Sequence, residues 1–247
     1  MVPALENILA KTKSLVFFGG AGVSTESGIP DFRSVDGLYH QKFRYPPEVM
    51  LSHSFYESHT AEFFDFYRKK LIVHGAKPNA AHLRLAKLER QGVCKAVVTQ
   101  NIDGLHQAAG SKAVFELHGS TLRNYCTRCG KFYPVEFIEQ AGDQGDGIPR
   151  CTACGGIVKP DVVLYEECLD EQTMAGAVAA IRKADTLIIG GTSLVVYPAA
   201  GLIHYFRGRH LVVINMQPTA ADRSADLCIA KPIGQVLSEE VCLDDPV

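Results

Sequence analysis

The sequence predicts an α/β fold, with a sheet of parallel strands and a smaller domain attached to it. The first observation is the apolar run 15–18, typical of a buried strand, which leads into the glycine-rich turn 19–22. A buried strand followed by such a turn is how an α/β sheet presents main-chain N–H groups to a phosphate. The second observation is a similar strand and glycine turn at 185–193, and the third is a pair of Cys-x-x-Cys motifs between the two turns.

Composition agrees with a globular enzyme and excludes several other classes. The length of 247 residues fits one domain, or one domain with an insertion, and the formal net charge is −2. No basic block favours direct nucleic-acid binding, and no apolar run approaches the ~20 residues that span a bilayer. The first 13 residues lack the apolar core of a signal peptide, so we expect a cytoplasmic protein without membrane contact.

The first glycine turn is an incomplete dinucleotide fingerprint. Gly20 and Gly22 occupy the first two glycine positions of G-x-G-x-x-G, but Thr25 stands at the third. The turn alone is therefore equally consistent with a tight connection between a strand and a helix. After Pro30, which disfavours helix before it, the residues Asp31, Phe32 and Arg33 form either a surface loop or a flap over a bound dinucleotide.

Periodicity and turn residues predict the remaining elements. Residues 36–52 are irregular, helical spacing at 54–73 indicates a lid of one or two helices, and Asn79 is a plausible N-cap of the next helix. Cys94 and Cys228 lie in apolar surroundings, so we expect both to be buried free thiols. The other predicted helices are 3–13, 171–183 and one after Pro198, and the other predicted strands are 93–99, 114–117, 185–190 and 211–214.

Polar residues follow two of these strands directly. Asn101 and Asp103 come after the strand 93–99, where open α/β sheets bind ligands, although they are also suited to capping a helix. His118 follows the strand 114–117, and its unperturbed pKa near neutrality suits a general base. His106 lies in the helix after Gly104, and we expect it to be structural.

The two Cys-x-x-Cys pairs predict a zinc site. Four thiolates from two such pairs form the tetrahedron that zinc prefers, and a closed four-sulfur site leaves no position for a reactive water. We therefore assign the metal a structural role. A redox role is the alternative, but the neighbouring glycines 130, 155 and 156 are typical of a zinc ribbon. The predicted ligands are Cys126, Cys129, Cys151 and Cys154.

Several segments together resemble the sirtuin family of NAD-dependent protein deacylases. These are GAGVSTESGIPDFRS, TQNIDGLH, ELHGS and GTSLVVYPAA, in that order along the chain, with the cysteine pairs between the third and the fourth. The resemblance implies a Rossmann-like NAD-binding domain formed by 1–35, 75–120 and 160–247. It also implies a helical lid at 36–74 and a zinc-binding module at 121–159.

The resemblance also implies roles for individual residues. His118 is the expected catalytic base, and Asn101 and Asp103 position the ribose and nicotinamide. An acylated lysine is expected to enter by strand addition along 159–167, and the expected substrate-binding residues are Val162, Val163, Leu164 and Val195. The expected NAD-binding residues are Gly20, Ala21, Gly22, Thr25, Asp31, Phe32, Arg33, Gln100, Ile102, Thr192, Ser193, Asn215 and Ile233.

The implied reaction is NAD-dependent removal of acetyl groups from protein lysines. The acyl oxygen attacks the ribose, nicotinamide leaves, and His118 takes a proton from a ribose hydroxyl, so that the products are free lysine and O-acetyl-ADP-ribose. Alternatives are mono-ADP-ribosyl transfer, NAD hydrolysis, an ordinary NAD oxidoreductase, and a zinc module that only senses NAD.

Two positions bear on the expected substrate. Tyr165-Glu166-Glu167 stands where the family commonly has phenylalanine-glycine-glutamate, so we expect Glu166 to alter peptide pairing and to favour basic sequences. Family members that prefer succinyl or malonyl lysine carry a tyrosine and an arginine at the positions of Phe64 and Tyr67. Because neither residue is a cation, we expect neutral acyl groups to be preferred, acetyl first.

Overall fold

A computed structural model provides the architecture of the chain and describes residues 2–31, 43–143 and 145–238. The chain forms one parallel and one antiparallel sheet, with helices on both faces of the former. The strands are β1 (Leu15–Gly19), β2 (Cys94–Thr99), β3 (Val114–Glu116), β4 (Gly119–Cys126), β5 (Phe132–Tyr133), β6 (Val158–Val162), β7 (Thr186–Gly190), β8 (His210–Ile214) and β9 (Leu227–Ile229). The α-helices are α1 (Pro3–Leu9), α2 (Pro47–Met50), α3 (His53–Ser58), α4 (Thr60–Lys70), α5 (Ala80–Arg90), α6 (Leu105–Ala108), α7 (Val135–Gln140), α8 (Glu171–Lys183) and α9 (Ile233–Leu237).

The larger sheet has the strand order β3-β2-β1-β7-β8-β9, and every neighbouring pair is parallel. This is the doubly wound order of a Rossmann-like fold, in which the order reverses between β1 and β7. Gly19 pairs with Thr99 on one side and with Gly190 on the other, so the carboxyl ends of three strands meet there. The predicted fold class is confirmed.

The strands of this sheet are apolar because helices cover both faces. Every residue of β1 and of β7 is buried. Along β1, Leu15 and Phe17 belong to one hydrophobic cluster, whereas Val16 and Phe18 belong to another. This alternation follows from the two-residue period of a strand, and it explains why the sequence shows a continuous apolar run.

The smaller sheet, β5-β4-β6, is antiparallel and has its own hydrophobic cluster. That cluster contains Phe63 and Tyr67 of α4 together with Ile138 of α7 and Val158 of β6. In addition, Arg68 donates to the carbonyl oxygen of Gly147 at 2.8 Å. The helices of residues 47–70 therefore pack mainly against the small sheet.

Most predicted elements are present with small shifts of their bounds. Asn79 caps α5, since its side chain accepts a hydrogen bond from the N–H of Ala81 at 3.0 Å. The predicted helix after Pro198 is a 3₁₀-helix, Ala199–Tyr205. The expectation for Cys94 is confirmed, but that for Cys228 is wrong, because Cys228 lies on the edge strand β9 with its side chain exposed. Within the described residues, no helix is both long and apolar enough to cross a membrane.

Candidate active site and metal centre

The two glycine turns pack directly against each other at the point where the strand order reverses. The N–H of Gly22 donates to the carbonyl oxygen of Gly191 at 2.8 Å. A Cβ on Gly22 would lie 2.9 Å from Cα of Gly191, and Gly191 itself has a left-handed backbone with φ +57°. Glycine is therefore required for contact between the turns, in addition to any approach of a ligand.

The first turn continues as two short 3₁₀-helices, Ala21–Val23 and Thr25–Ser27, rather than as a long helix. Thr25, at the third fingerprint position, donates its hydroxyl to the carbonyl oxygen of Gly22 at 3.0 Å. Asp31 is half-buried. Phe32 and Arg33, the predicted flap, lie outside the described residues.

Gln100 connects the end of β2 to both turns. Its N–H donates to the carbonyl oxygen of Gly19, and its side-chain amide donates to the hydroxyl of Thr192 at 3.0 Å. Thr192 is nearly buried, whereas Ser193 beside it is exposed. The structure thus brings predicted cofactor residues from three separate segments into contact with one another.

Ser24 links the two residues expected to position the ribose and nicotinamide. Its hydroxyl donates to Asp103 at 2.6 Å and accepts from the side-chain amide of Asn101 at 3.0 Å. The other carboxylate oxygen of Asp103 accepts from the N–H of Leu105 at 2.9 Å, so Asp103 also caps the start of α6. No motif in the sequence predicts the role of Ser24, although it is a hydroxyl residue two positions after the glycine turn.

The geometry around His118 fixes which ring nitrogen is free. Nδ1 lies 3.0 Å from the carbonyl oxygen of Gln100. A carbonyl oxygen only accepts, so Nδ1 carries the proton and Nε2 keeps its lone pair. Burial lowers the pKa of His118 below its usual value, which keeps the imidazole neutral near pH 7. This tautomer is the one that a general base needs.

The predicted cofactor residues Ile102, Asn215 and Ile233 have contacts of their own. The carbonyl oxygen of Ile102 accepts from both the N–H and the hydroxyl of Thr121. Asn215 follows β8, and its amide donates to the carbonyl oxygen of Gln217 at 2.7 Å. Ile233 is buried at the start of α9, and its side chain occupies the space above Gly190.

The segment expected to bind peptide continues from β6, an edge strand of the small sheet. The N–H of Val163 donates to the carbonyl oxygen of His118 at 3.0 Å, which places this segment beside the candidate base. Val162 and Leu164 are buried, whereas Val195 on the loop after β7 is exposed. Tyr165 pairs with the chain at Leu51 and His53, so the helical region is joined to the end of this segment.

The four predicted metal ligands form one cluster. Their Sγ atoms all lie within 4.8 Å of one another, with Cys126 and Cys154 3.4 Å apart and Cys129 and Cys151 3.6 Å apart. A tetrahedral zinc site with Zn–S bonds of about 2.3 Å has sulfur–sulfur distances of about 3.8 Å, so the donor set fits zinc.

Main-chain and side-chain donors surround the sulfurs. The N–H groups of Arg128 and Ala153 point at Cys126 and Cys151, respectively. The hydroxyl of Tyr133 donates to Cys151 at 3.2 Å and lowers the pKa of that thiol to about 6. No sequence motif connects Tyr133 to the cysteine pairs, so only the structure reveals its contact with Cys151.

His106 is structural, as expected, and forms a buried pair with His82. The ring centroids are 4.7 Å apart, and both side chains are almost completely buried. Burial lowers the pKa of His82 to about 4 and that of His106 to about 3. Nδ1 of His82 accepts from the N–H of Asn79, which completes a capping box at the start of α5.

The fold and the site define a Rossmann-like α/β protein with a cluster of polar residues at the ends of its central strands, a half-buried histidine, and a separate group of four cysteines that fits a metal. Residues 20–198 match the Sir2 family. The chain belongs to the Sir2 family.

Relatives of high identity cover almost the whole chain. An NAD-dependent protein deacetylase of Clostridium acetobutylicum is 63% identical over 94% of this chain and 95% of its own length. One of Clostridium perfringens is 61% identical over 96% and 97%, respectively. Among solved structures, a Sir2–p53 peptide–NAD⁺ complex matches with a TM-score of 0.85, 38% identity, and coverage of 96% of this chain and 95% of that chain. A Sir2 bound to acetylated peptide matches with a TM-score of 0.84, 37% identity, and coverage of 95% and 94%.

Proposed function

We propose that this protein removes acetyl groups from lysine side chains of proteins in an NAD-dependent reaction that yields nicotinamide and O-acetyl-ADP-ribose. The relatives described above carry the name of this activity. A similar Sir2 structure contains a deacetylated p53 peptide and 3′-O-acetyl ADP ribose. The observation that carries the proposal is the unprotonated Nε2 of His118, whose Nδ1 bonds to Gln100, the residue directly before Asn101 of the Asn101–Ser24–Asp103 cluster.

The residues of the cleft divide the work of this reaction. NAD, when bound, supplies the ADP-ribosyl group that accepts the acetyl group. Gln100 and Thr192, with Gly20, Ala21 and Gly22, would bind the phosphates and ribose of NAD. Asn101 and Asp103 hold the nicotinamide side, and Ser24 fixes their orientation through its two hydrogen bonds. Nε2 of His118 takes the proton of a ribose hydroxyl, since Nδ1 is held by Gln100.

The peptide substrate adds as a strand next to residues 162–164. An edge strand offers main-chain groups for this kind of pairing, and β6 runs directly past His118. Val195, on the loop after β7, borders the other side. The acetyl-lysine then reaches the base from the small-sheet side, opposite the glycine turns.

Neutral acyl groups are the preferred substrates. Phe64 and Tyr67 are fully buried, and the guanidinium of Arg68 is directed at the carbonyl oxygens of Ile138 and Gly147. Among the described residues of α4, these contacts leave no cation to meet an acyl carboxylate at Phe64 or Tyr67.

The chain divides into the Rossmann-like domain (1–35, 75–120 and 160–247), the helical lid (36–74) and the zinc module (121–159). The separate hydrophobic cluster of the lid and zinc module supports this division. One structural zinc per chain is held by the four cysteines. We place the protein in the cytoplasm, which cell fractionation would test.

Mass spectrometry of an acetyl-lysine peptide, incubated with and without NAD, tests the proposed reaction. We expect loss of the acetyl mass only with NAD, matched by O-acetyl-ADP-ribose. Nicotinamide release with an unchanged peptide would instead indicate NAD hydrolysis, and a peptide that gains ADP-ribose would indicate mono-ADP-ribosyl transfer.

A further inference from the structure

Glu166 has an unusual backbone for a residue with a side chain. Its φ is +77°, in the left-handed region that glycine adopts easily and other residues adopt rarely. Among the described residues, only Leu194 is a second non-glycine residue with positive φ. Glu166 follows the segment 162–164 and Leu194 precedes Val195, so both lie next to the residues proposed to border the peptide. Such strained positions are concentrated at functional sites.

The side chain of Glu166 is held in place by α3. One carboxylate oxygen accepts from the N–H of Ser54 at 2.9 Å, and the other accepts from the hydroxyl of Ser54 at 3.0 Å. Ser54 lies in the first turn of α3, where a negative charge is favourable. The carboxylate is therefore fixed at one position, although the residue is exposed.

The neighbouring Glu167 provides a contrast in charge. Its carboxylate lies 3.1 Å from Nζ of Lys159 and 2.8 Å from Nδ1 of His53, so a cation balances it. In the part of the chain that the structure describes, no lysine, arginine or histidine lies within 4.0 Å of the Glu166 carboxylate. Glu166 is thus an anchored negative charge that no described residue balances with a cation.

The position of this charge relative to the base follows from the chain. Val163 is bonded to His118, and Glu166 comes three residues later. Three residues of extended chain span about 10 Å at most. A peptide strand paired along 162–164 therefore brings side chains that lie within about three residues of the acetyl-lysine next to Glu166.

We propose that Glu166 is a specificity-determining residue that selects acetylated peptides with arginine or lysine within three positions of the target lysine. This inference rests on the proposed deacetylation. The carboxylate attracts a cationic side chain of the bound peptide and repels an anionic one, while Ser54 holds it in one position. The effect lies in peptide binding, not in the chemical step, because Glu166 contacts neither the base nor its partner Gln100.

The experiment compares two acetyl-lysine peptides that differ only in carrying arginine or glutamate at the flanking positions, with NAD and at low ionic strength. For the unchanged protein we expect kcat/KM to be roughly three- to tenfold higher for the arginine peptide, as expected for exposed charge pairs. The difference should lie in KM and shrink as salt is raised.

Glu166→Gln and Glu166→Gly are the test variants. Glycine adopts the left-handed backbone of this position easily, so the second variant keeps the test open if the first folds poorly. Both should reduce the ratio to about twofold or less. Glu171→Gln, which removes the same charge from the exposed start of α8, is the matched control and should leave the ratio unchanged.

The outcomes separate the two proposals. A ratio that persists in both Glu166 variants overturns the specificity role and leaves deacetylation intact. A ratio that falls equally in Glu171→Gln also overturns it, because net charge alone would then explain the preference. Absence of NAD-dependent turnover of either peptide by the unchanged protein overturns deacetylation and this inference with it.

Discussion

Ser24 and Asp103 are 79 positions apart in the chain, yet the serine hydroxyl donates to the aspartate at 2.6 Å. Because the same hydroxyl accepts from Asn101, one buried atom orients two side chains of the cleft. Without it, a carboxylate oxygen of Asp103 and the amide of the buried Asn101 would have to find other partners.

Ser24→Ala is therefore expected to lower kcat/KM for deacetylation by about 10- to 100-fold. This is the size of effect expected when one or two hydrogen bonds that involve a charged group are lost. Ser27→Ala is the matched control, since Ser27 bonds to Asn79 and not to the cleft. Steady-state kinetics with both variants check the prediction. Equal losses in the two would show that the loop is merely destabilised.

Replacement of His118 with alanine is expected to lower kcat by roughly 10²- to 10⁴-fold, the usual contribution of a general base. Some exchange of labelled nicotinamide into NAD should remain, because that exchange does not need the proton transfer at the ribose. Because burial lowers the pKa of His118, the acid limb of the pH–rate profile should lie below pH 6.5. A limb above that value would contradict the tautomer and burial described here.

One zinc ion per chain should be found by elemental analysis. Cys129→Ser should lose it and disorder the small sheet, whereas Cys168→Ser, which changes an exposed cysteine outside the cluster, should retain it.

Tyr133→Phe should weaken zinc binding by about 10- to 100-fold, as is typical of residues that hydrogen-bond to metal ligands. Competition with a chromogenic chelator measures this change.

Acetyl peptides should be turned over faster than succinyl peptides by more than about tenfold, because a carboxylate buried without a cation is costly. A butyryl peptide is the control, since it has a similar length and no charge. Faster turnover of the succinyl peptide would show that a cation reaches the acyl pocket.

Acid should destabilise the fold through His82 and His106. Below pH 6.5 the unfolded chain binds protons on both histidines, while the folded chain does not until pH falls to about 4 and about 3. The free energy of unfolding therefore decreases as the pH is lowered, by up to about 4 kcal/mol from pH 7.5 to pH 5. Urea unfolding at these two pH values tests the sign and size of the change.

His106→Leu should remove about half of that pH dependence. His204→Leu, at an exposed site, should leave it unchanged. An unaltered slope in His106→Leu would mean that other groups cause the acid sensitivity.

The sequence predicted the elements and the cysteine cluster well because both depend on local patterns. Apolar runs give the buried strands, and the spacing of two cysteine pairs gives the metal site. Ser24 and Tyr133 were missed because their roles depend on contacts between distant segments, which periodicity does not report. Cys228 was assigned wrongly because an apolar neighbourhood in sequence does not reveal that β9 is an edge strand. For Glu166, the sequence indicated an effect on the peptide but not its left-handed backbone or its bonds to Ser54.

The pairing of Gly119 with Val162 has a consequence for the order in which the chain assembles. Because Gly119 pairs with Val162, the antiparallel pairing of β4 with β6 closes residues 120–161 into a loop of their own. Once this loop has formed, the connection between β3 and β7 is effectively shorter. That shortening lowers the entropic cost of bringing β7 to the sheet by roughly 1 kcal/mol. Formation of the small sheet thus favours the pairing of β7 with β1, which joins the two halves of the parallel sheet.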